Sequence, residues 1–344
     1  MESIYAVVQD EGILRIKNET LDFSALKPCE LLIEAETTVV SAGTELAIFS
    51  GTAPGVRTPG SWNAYPWRPG YGLVGHVHAV GSELVGFAEG DRVFCFGKHA
   101  SHQFFDASTK KPQSAAFVIT EDLAAETAVM IRMALIALTG PQVTTFQTGD
   151  TVAVFGLGLV GNLAAQLYQI AGARVIAFDP VKKRCDLAQQ VGIEFALNVH
   201  PENQVEMIYE LTDNQGAAVT VDAVGDSRVV MSCIQACMPF GEVILLGSPR
   251  ESFNTDATEA FRLIHVRWLK VRGALEWCLP VHPVIGKKHS IESNLRTLIN
   301  LIKREQLKLD PLISHSIKPD DLPKTYQGLL NDKGNFVGVV VKWC

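Results

Sequence analysis

Cysteine is sparse in this chain and follows no paired pattern. The seven cysteines, Cys29, Cys95, Cys185, Cys233, Cys237, Cys278 and Cys344, are odd in number and widely scattered, with no Cys-x-x-Cys pair. That excludes a disulfide framework. Cys233 and Cys237 lie four apart in an apolar helical stretch, where thiols pack as small hydrophobes. No uninterrupted apolar stretch is long enough to span a bilayer. Residues Met1 to Lys17 show no positively charged start leading into an apolar run and a small-residue cleavage site, so the expectation is a cytoplasmic protein without membrane association. An excess of positive charge is missing too. The 30 Lys and Arg against 37 Asp and Glu give a formal net charge of −7, which argues against nucleic acid as a partner. Internal repeats and low-complexity tracts are absent. What is present, 47% apolar residues, 19% charged and 28 glycines, suits an α/β enzyme, and 344 residues allow about two domains.

The most informative segment runs from Thr151 to Asp179. Thr-Val-Ala-Val-Phe reads as a buried strand, followed by Gly156-Leu-Gly158-Leu159-Val160-Gly161 and then a helix with Leu163, Leu167 and Ile170 on one face. Gly156 permits the tight turn, Gly158 lets backbone approach a pyrophosphate, and Gly161 lets the helix pack on its strand. The phosphates would sit at the helix N-terminus, where free N–H groups favour negative charge. A second strand, Arg174 to Phe178, delivers Asp179 eighteen residues beyond Gly161, where a carboxylate accepts both ribose hydroxyls and repels a 2′-phosphate. The expected cofactor is therefore NAD(H). Lys182, Lys183 and Arg184 follow as a solvated first helical turn or as an embrace for a 2′-phosphate, and Arg184 is counted with the cofactor residues.

Ahead of this segment the chain is rich in Val, Thr, Gly and Pro, with alternating runs at Glu30 to Glu36 and Gly75 to Gly81, the texture of an irregular β domain. Ala53 to Pro69, with four prolines and two tryptophans, reads as a long functional loop. From Thr151 strands and helices alternate through Val219 to Gly225, Gly241 to Gly247 and Val266 to Gly273, which calls for a parallel sheet covered on both faces. A helix near Ile291 to Arg304 and a terminal strand from Val337 to Trp343 suggest a return to the first domain. The fold class is α/β: a β domain, 1–145 and 276–344, and a doubly wound nucleotide-binding domain, 146–275.

Taken in order, Ser41-Ala-Gly-Thr-Glu-Leu-Ala-Ile-Phe-Ser-Gly51, Val80-Gly81 with Gly90-Asp-Arg-Val93, the glycine segment, Val221-Asp222-Ala-Val-Gly225 and Leu309-Asp-Pro-Leu-Ile-Ser-His315 resemble the medium-chain dehydrogenase/reductase superfamily of zinc-type alcohol and polyol dehydrogenases over nearly the whole length. The resemblance implies a GroES-like β domain interrupted by a Rossmann domain, with substrate in the cleft between them. It also implies that Val224, Gly247 and Ser248 flank the nicotinamide. The edge near Val266 to Leu275 is similar to the superfamily's dimer-forming edge, implying a homodimer or homotetramer.

The zinc ligands the resemblance leads one to expect are missing. Ala42 replaces the first cysteine, Gly70-Tyr71-Gly72 replaces the Gly-His-Glu motif, and the third position falls near Ile131 or Arg132. All three ligand positions are thus empty, which removes the Lewis acid that would polarise the substrate oxygen, and the four-cysteine structural zinc lobe is absent as well. The Ser-x-Gly-Thr-Glu and Pro-Gly-Tyr-x-x-Val-Gly pattern is similar to a branch that includes bacteriochlorophyllide-type hydroxyethyl dehydrogenases, but so short a motif does not carry the substrate over. By resemblance Thr44 is the proton-relay hydroxyl, or else a β-domain threonine bonding backbone, and Glu45 is the acid behind the missing histidine, expected here to hydrogen-bond Tyr71. Tyr71 would face the cleft as a proton donor or simply fill the zinc's space. His99 would take the alcohol proton or serve structurally, with His102 ranking lower. Arg132 would hold an anionic group or snorkel to water. A metal site at Cys95, His99 and His102 is a minor alternative. Trp62, Trp67, Glu276 and Trp277 would border the substrate pocket or pack in the core. The leading expectation is an NAD-dependent, zinc-independent oxidoreductase acting on a secondary alcohol or ketone of a small molecule, whether polyol, sugar or hydroxyalkyl group. The alternatives are a double-bond reductase of enones or quinones and a catalytically silent nucleotide-binding homologue.

Overall fold

Alternation of buried and exposed residues sets the first strands. A computed structural model describes residues 1–250 and 253–343; Cys344 lies outside the described residues. In β1 (Glu2–Asp10) and β2 (Ile13–Thr20) the two strands pair antiparallel as a hairpin. β3 (Glu30–Val39) precedes helix α1 (Ala42–Phe49). Between α1 and β4 (Leu73–Val80) the proline-rich segment forms neither helix nor strand. Then come β5 (Arg92–Cys95), β6 (His102–Asp106), β7 (Ala116–Val118) and the long helix α2 (Ala125–Val143).

β8 (Thr151–Phe155), α3 (Leu159–Ile170), β9 (Arg174–Phe178), α4 (Lys182–Gln190), β10 (Phe195–Leu197), α5 (Gln204–Leu211), β11 (Ala217–Asp222), α6 (Ser227–Ala236), β12 (Cys237–Leu245), α7 (Ala257–Val266) and β13 (Lys270–Gly273) follow in alternation. Cys233 lies in α6, but Cys237 opens β12 rather than sharing its helix; both thiols are fully buried. The chain ends with α8 (Ile291–Lys303), β14 (Ile313–Ile317), α9 (Leu322–Asn331) and β15 (Gly338–Lys342). Among the described residues no helix is long and apolar enough to cross a membrane.

The chain divides into two compact units. The first comprises Met1–Arg132, Trp277–Ile299 and Ile313–Cys344. It contains the hairpin and a seven-stranded sheet in the order β14-β15-β3-β4-β5-β7, with β6 also paired to β3. Its apolar core joins Val8, Ile48 and Phe49 to Leu322, Tyr326 and Val341. The second unit, Met133–Glu276 and Asn300–Leu312, holds a six-stranded parallel sheet ordered β10-β9-β8-β11-β12-β13. Counted within the sheet this is 3-2-1-4-5-6, the doubly wound order whose strand direction of growth reverses between β8 and β11.

The unit boundaries differ from those expected. Residues 133–145 join the second unit, where Arg272 donates to the Val143 carbonyl and the Thr145 amide donates to Glu242 at 3.3 Å. Asn300–Leu312 does so as well, because the Gln166 side chain on α3 both donates to the Lys308 carbonyl at 3.1 Å and accepts its amide at 2.9 Å.

Candidate functional site

In the second unit the ends of β8 and β11 create a glycine-lined turn at the reversal point. A Cβ added at Gly161 would fall 2.0 Å from the Gly156 carbonyl oxygen, so the first turn of α3 lies against the end of β8 and only glycine fits. Gly158 is different. Its φ of −61° is ordinary, and the nearest atom to an added Cβ is Arg184 Nη1 at 3.8 Å. Nothing in the protein's own packing requires glycine there; the missing side chain leaves room at a helix N-terminus, which is what a pyrophosphate needs. The residues fit a dinucleotide on this observation.

Asp179 ends β9 with its carboxylate almost wholly buried. One oxygen accepts the Leu157 amide at 2.8 Å and lies 3.4 Å from Arg184; the other accepts the Val181 amide at 2.8 Å. The carboxylate expected at the ribose thus also braces the glycine turn. Lys182 pairs with Asp186 on a solvated face. Leu159 is buried and Val160 partly so in the first turn of α3. At the end of β11, Asp222, which sequence reasoning quoted without giving it a role, accepts the amides of Val224 and Gly225 at 2.8 and 3.0 Å through one oxygen. That holds the loop carrying half-exposed Val224, while Gly247 and exposed Ser248 follow β12. Burial raises the Asp222 carboxyl above the usual range.

The first unit brings together a different set. Glu45, in α1, is fully buried. One oxygen accepts the Ser41 amide at 2.8 Å; the other lies 3.1 Å from His99 Nε2 and accepts the Tyr326 hydroxyl. Desolvation raises the Glu45 pKa, but His99, Tyr326 and the Ser41 amide together outweigh it, so the net direction is downward and the group is a carboxylate. The same carboxylate and its own burial push the Tyr326 phenol far up. His99 Nδ1 lies 2.7 Å from Thr38 Oγ1, which also accepts the Trp343 indole N–H at 2.9 Å.

Above this network lies a cluster of hydroxyls. Tyr71 donates to Thr44 Oγ1 at 3.3 Å, which leaves Ser41 Oγ as the donor in its short contact with the Tyr71 oxygen. Burial raises the Tyr71 pKa, while Arg132, Ser41 and Thr44 pull against it. Gly70 fixes this placement, since a Cβ there would meet the His99 backbone nitrogen at 2.5 Å.

Several expectations are corrected by this geometry. The Glu45 to Tyr71 hydrogen bond is replaced by Glu45 to Tyr326 and His99, and by Tyr71 to Ser41 and Thr44. His99 has no exposed side-chain surface and both ring nitrogens are engaged, so it does not take a proton directly from a substrate. Arg132 does not snorkel: it is 0% exposed. Trp67 is a core residue joined to Val8 by two backbone hydrogen bonds of 2.8 Å, while Trp62 is exposed and edge-on to it. Buried Glu276 falls in the second unit and Trp277 in the first. Ser41, though it opens the quoted Ser-x-Gly-Thr-Glu pattern, was given no role, and Thr38, Tyr326 and Trp343 were not anticipated because no local pattern marks them.

The donors do not fit zinc. A zinc site needs three or four convergent N, S or O ligands, and among the described residues no group of three His, Cys, Asp or Glu converges. Cys95 is buried with its thiol pushed up to about 12, His99 is committed to Glu45 and Thr38, and His102 lies beside Ser101 and Glu34.

Residues 27–118 match the family described as alcohol dehydrogenase GroES-like domain, and residues 160–277 match that described as zinc-binding dehydrogenase. The chain is 26% identical over 303 residues to D-guloside 3-dehydrogenase of Escherichia coli strain K12, covering 81% of this chain and 83% of the relative. Among solved structures, an Escherichia coli oxidoreductase/dehydrogenase of unknown specificity involved in membrane biogenesis superposes with a TM-score of 0.81 at 16% identity, covering 99% of both chains. A zinc-binding dehydrogenase of Sinorhizobium meliloti 1021, described as putative and bound to NADP, gives 0.75 at 21% identity, again over 99% of both.

Two outcomes follow. Gly161→Ala should lower stability by about 2 kcal/mol in urea denaturation, whereas Gly158→Ala should leave it unchanged and weaken NADH binding at least about tenfold; equal effects of the two on stability would contradict the distinction. Glu45→Gln should cost about 3 kcal/mol near neutral pH. Because the folded pKa is depressed, that difference is fully present above the ordinary glutamate range and shrinks as pH falls through the folded value; urea titrations at a series of pH values measure it.

Proposed function

Because the chain belongs to the medium-chain dehydrogenase/reductase superfamily and is an oxidoreductase of the dehydrogenase type, we propose that it moves hydride between NAD(H) and a secondary alcohol or ketone carbon without zinc, with Tyr71 carrying the proton. The observation behind this reading is the Ser41, Tyr71 and Thr44 hydroxyl cluster in the region where the superfamily's zinc ligands are expected.

When bound, the dinucleotide supplies the two-electron acceptor. In the oxidation, the carbinol C–H bond breaks with its electron pair leaving as hydride, the C–O bond becomes C=O, and the hydroxyl proton passes to the Tyr71 oxygen. In the reduction, the phenol returns that proton to the oxygen as hydride reaches carbon. Ser41 and Thr44 hold the phenol and exchange protons with it. Burial keeps Tyr71 in the phenol form at neutral pH, which poises the chain for ketone reduction and makes oxidation faster as pH rises. Substrates of the polyol, sugar or hydroxyalkyl class are supported by the similarity to an enzyme named for a guloside. The preference for NAD rests on Asp179, whose charge opposes a 2′-phosphate.

A second copy of the chain is the proposed partner. β13 is an outer strand of its sheet, exposed throughout, with Val271 41% exposed and Leu275, two residues beyond the strand, 59% exposed, and an open edge of this kind invites pairing.

Tyr71→Phe should lower kcat about a hundredfold in ketone reduction, with NADH affinity unchanged. Chelation should leave turnover intact, and NADH should bind at least about tenfold more tightly than NADPH. Unchanged turnover in Tyr71→Phe, or loss of turnover on removing stoichiometric zinc, would overturn the proton assignment. In solution the mass should be that of a dimer or tetramer, and Val271→Asp should shift it toward the monomer; a monomeric wild type at all concentrations would contradict the edge assignment.

A further inference from the structure

Arg132 is the largest fully buried side chain among the described residues, and it is built into the surroundings of Tyr71. Its Nε donates to the Tyr71 carbonyl at 2.8 Å. Its guanidinium carbon lies 4.0 Å from the Phe96 ring centroid, 4.8 Å from that of Tyr71 and 5.5 Å from that of Trp277. The stem is seated as tightly: a Cβ at Gly72 would meet Arg132 Cγ at 2.6 Å, so the glycine after Tyr71 is the space the arginine occupies. Aromatic faces stabilise a desolvated cation through their quadrupoles, and a guanidinium cannot escape burial by losing its proton as a lysine can.

We propose that Arg132 is a positioning residue for Tyr71: anchored on the Tyr71 carbonyl and packed against its ring, it fixes the hydroxyl between Ser41 and Thr44 and supplies the positive charge that stabilises the phenolate once the proton has passed to the substrate oxygen. The inference rests on Tyr71 as proton carrier for its catalytic meaning, although the coupling of the two groups can be measured without substrate. The ionisable groups facing Tyr71 are Arg132 from α2, Glu45 from α1 and Tyr326 from α9. Glu45 opposes a phenolate at Tyr71 and Arg132 favours it, while Tyr326, whose own ionisation burial, Glu45 and Tyr71 all oppose, stays a neutral phenol. In alcohol oxidation the proton leaves the substrate oxygen for Tyr71 while hydride leaves carbon for the nicotinamide, so a phenolate held by Arg132 is the form that begins the step.

The test is a pH titration of the protein labelled with tyrosine carrying carbon-13 at Cζ, the Tyr71 resonance being assigned by its absence in Tyr71→Phe. In Arg132→Met, which keeps volume but not charge, the Tyr71 midpoint should rise by roughly one to three pH units, with the alkaline limb of the oxidation rate moving the same way. In Arg132→Lys, which keeps a cation in the box, it should stay within about half a unit of wild type. No movement in Arg132→Met, or a rise of about a unit or more in Arg132→Lys, overturns the proposal; if Arg132→Met does not fold, the lysine variant decides. Should Tyr71→Phe retain full turnover while these shifts appear, the catalytic reading fails and the coupling stands.

Discussion

A carboxylate with no access to water is the constraint around which the first unit is arranged. Moving an ionised glutamate into a low-dielectric interior is prohibitively costly unless donors replace its hydration. Glu45 finds them at Ser41, His99 and Tyr326, three points separated by much of the chain. The histidine is fixed in turn by Thr38 on β3, and Thr38 by Trp343 just beyond β15. Removing any one donor would leave a buried charge underserved, so α1, the segment after β5, α9 and the end of the chain are bound to one geometry. Tyr71 is tied to this arrangement through its neighbour: His99 is held, and Gly70 lies against the His99 backbone.

The two units were unequally legible. In the second, the strands Thr151–Phe155 and Arg174–Phe178 stand where the sequence places them, because the signals are local: a short apolar run, a glycine turn, a helical face. The first unit's polar network is written in no local pattern. Glu45 and Tyr326 are 281 residues apart, and Glu45 and His99 are 54 apart. The sequence suggested Tyr71 as the partner of Glu45, since a missing histidine leaves an acid looking for a donor. The acid instead took the histidine further along and a tyrosine on α9, while Ser41 and Thr44 captured the Tyr71 hydroxyl. Arg132 was hard to place for a related reason: α2 is apolar around nearly its whole circumference, so no polar face announces where a charge points.

Glycines in the cofactor turn separate structural need from ligand need. Gly161 is demanded by the fold, since the strand end and the helix start occupy the place of its side chain. Gly158 is demanded by nothing inside the protein. Asp179 does both jobs, holding the turn through Leu157 and Val181 while keeping a negative charge beside it. This explains why the motif was equally good at locating secondary structure: Gly161 and Asp179 shape the turn whatever it holds.

Two fully buried ionic side chains of opposite sign, Glu45 and Arg132, lie on either side of the Tyr71 question. They are accommodated differently. Glu45 is surrounded by donors, so its charge is spread over Ser41, His99 and Tyr326 and reaches Tyr71 weakly. Arg132 is held against aromatic faces, which are poor screens, and its pull on the phenol exceeds the push from Glu45. An unpaired phenolate in this interior would be costly; beside a guanidinium that cannot lose its proton it becomes reachable. The first unit thus sets a buried positive charge beside the Tyr71 hydroxyl.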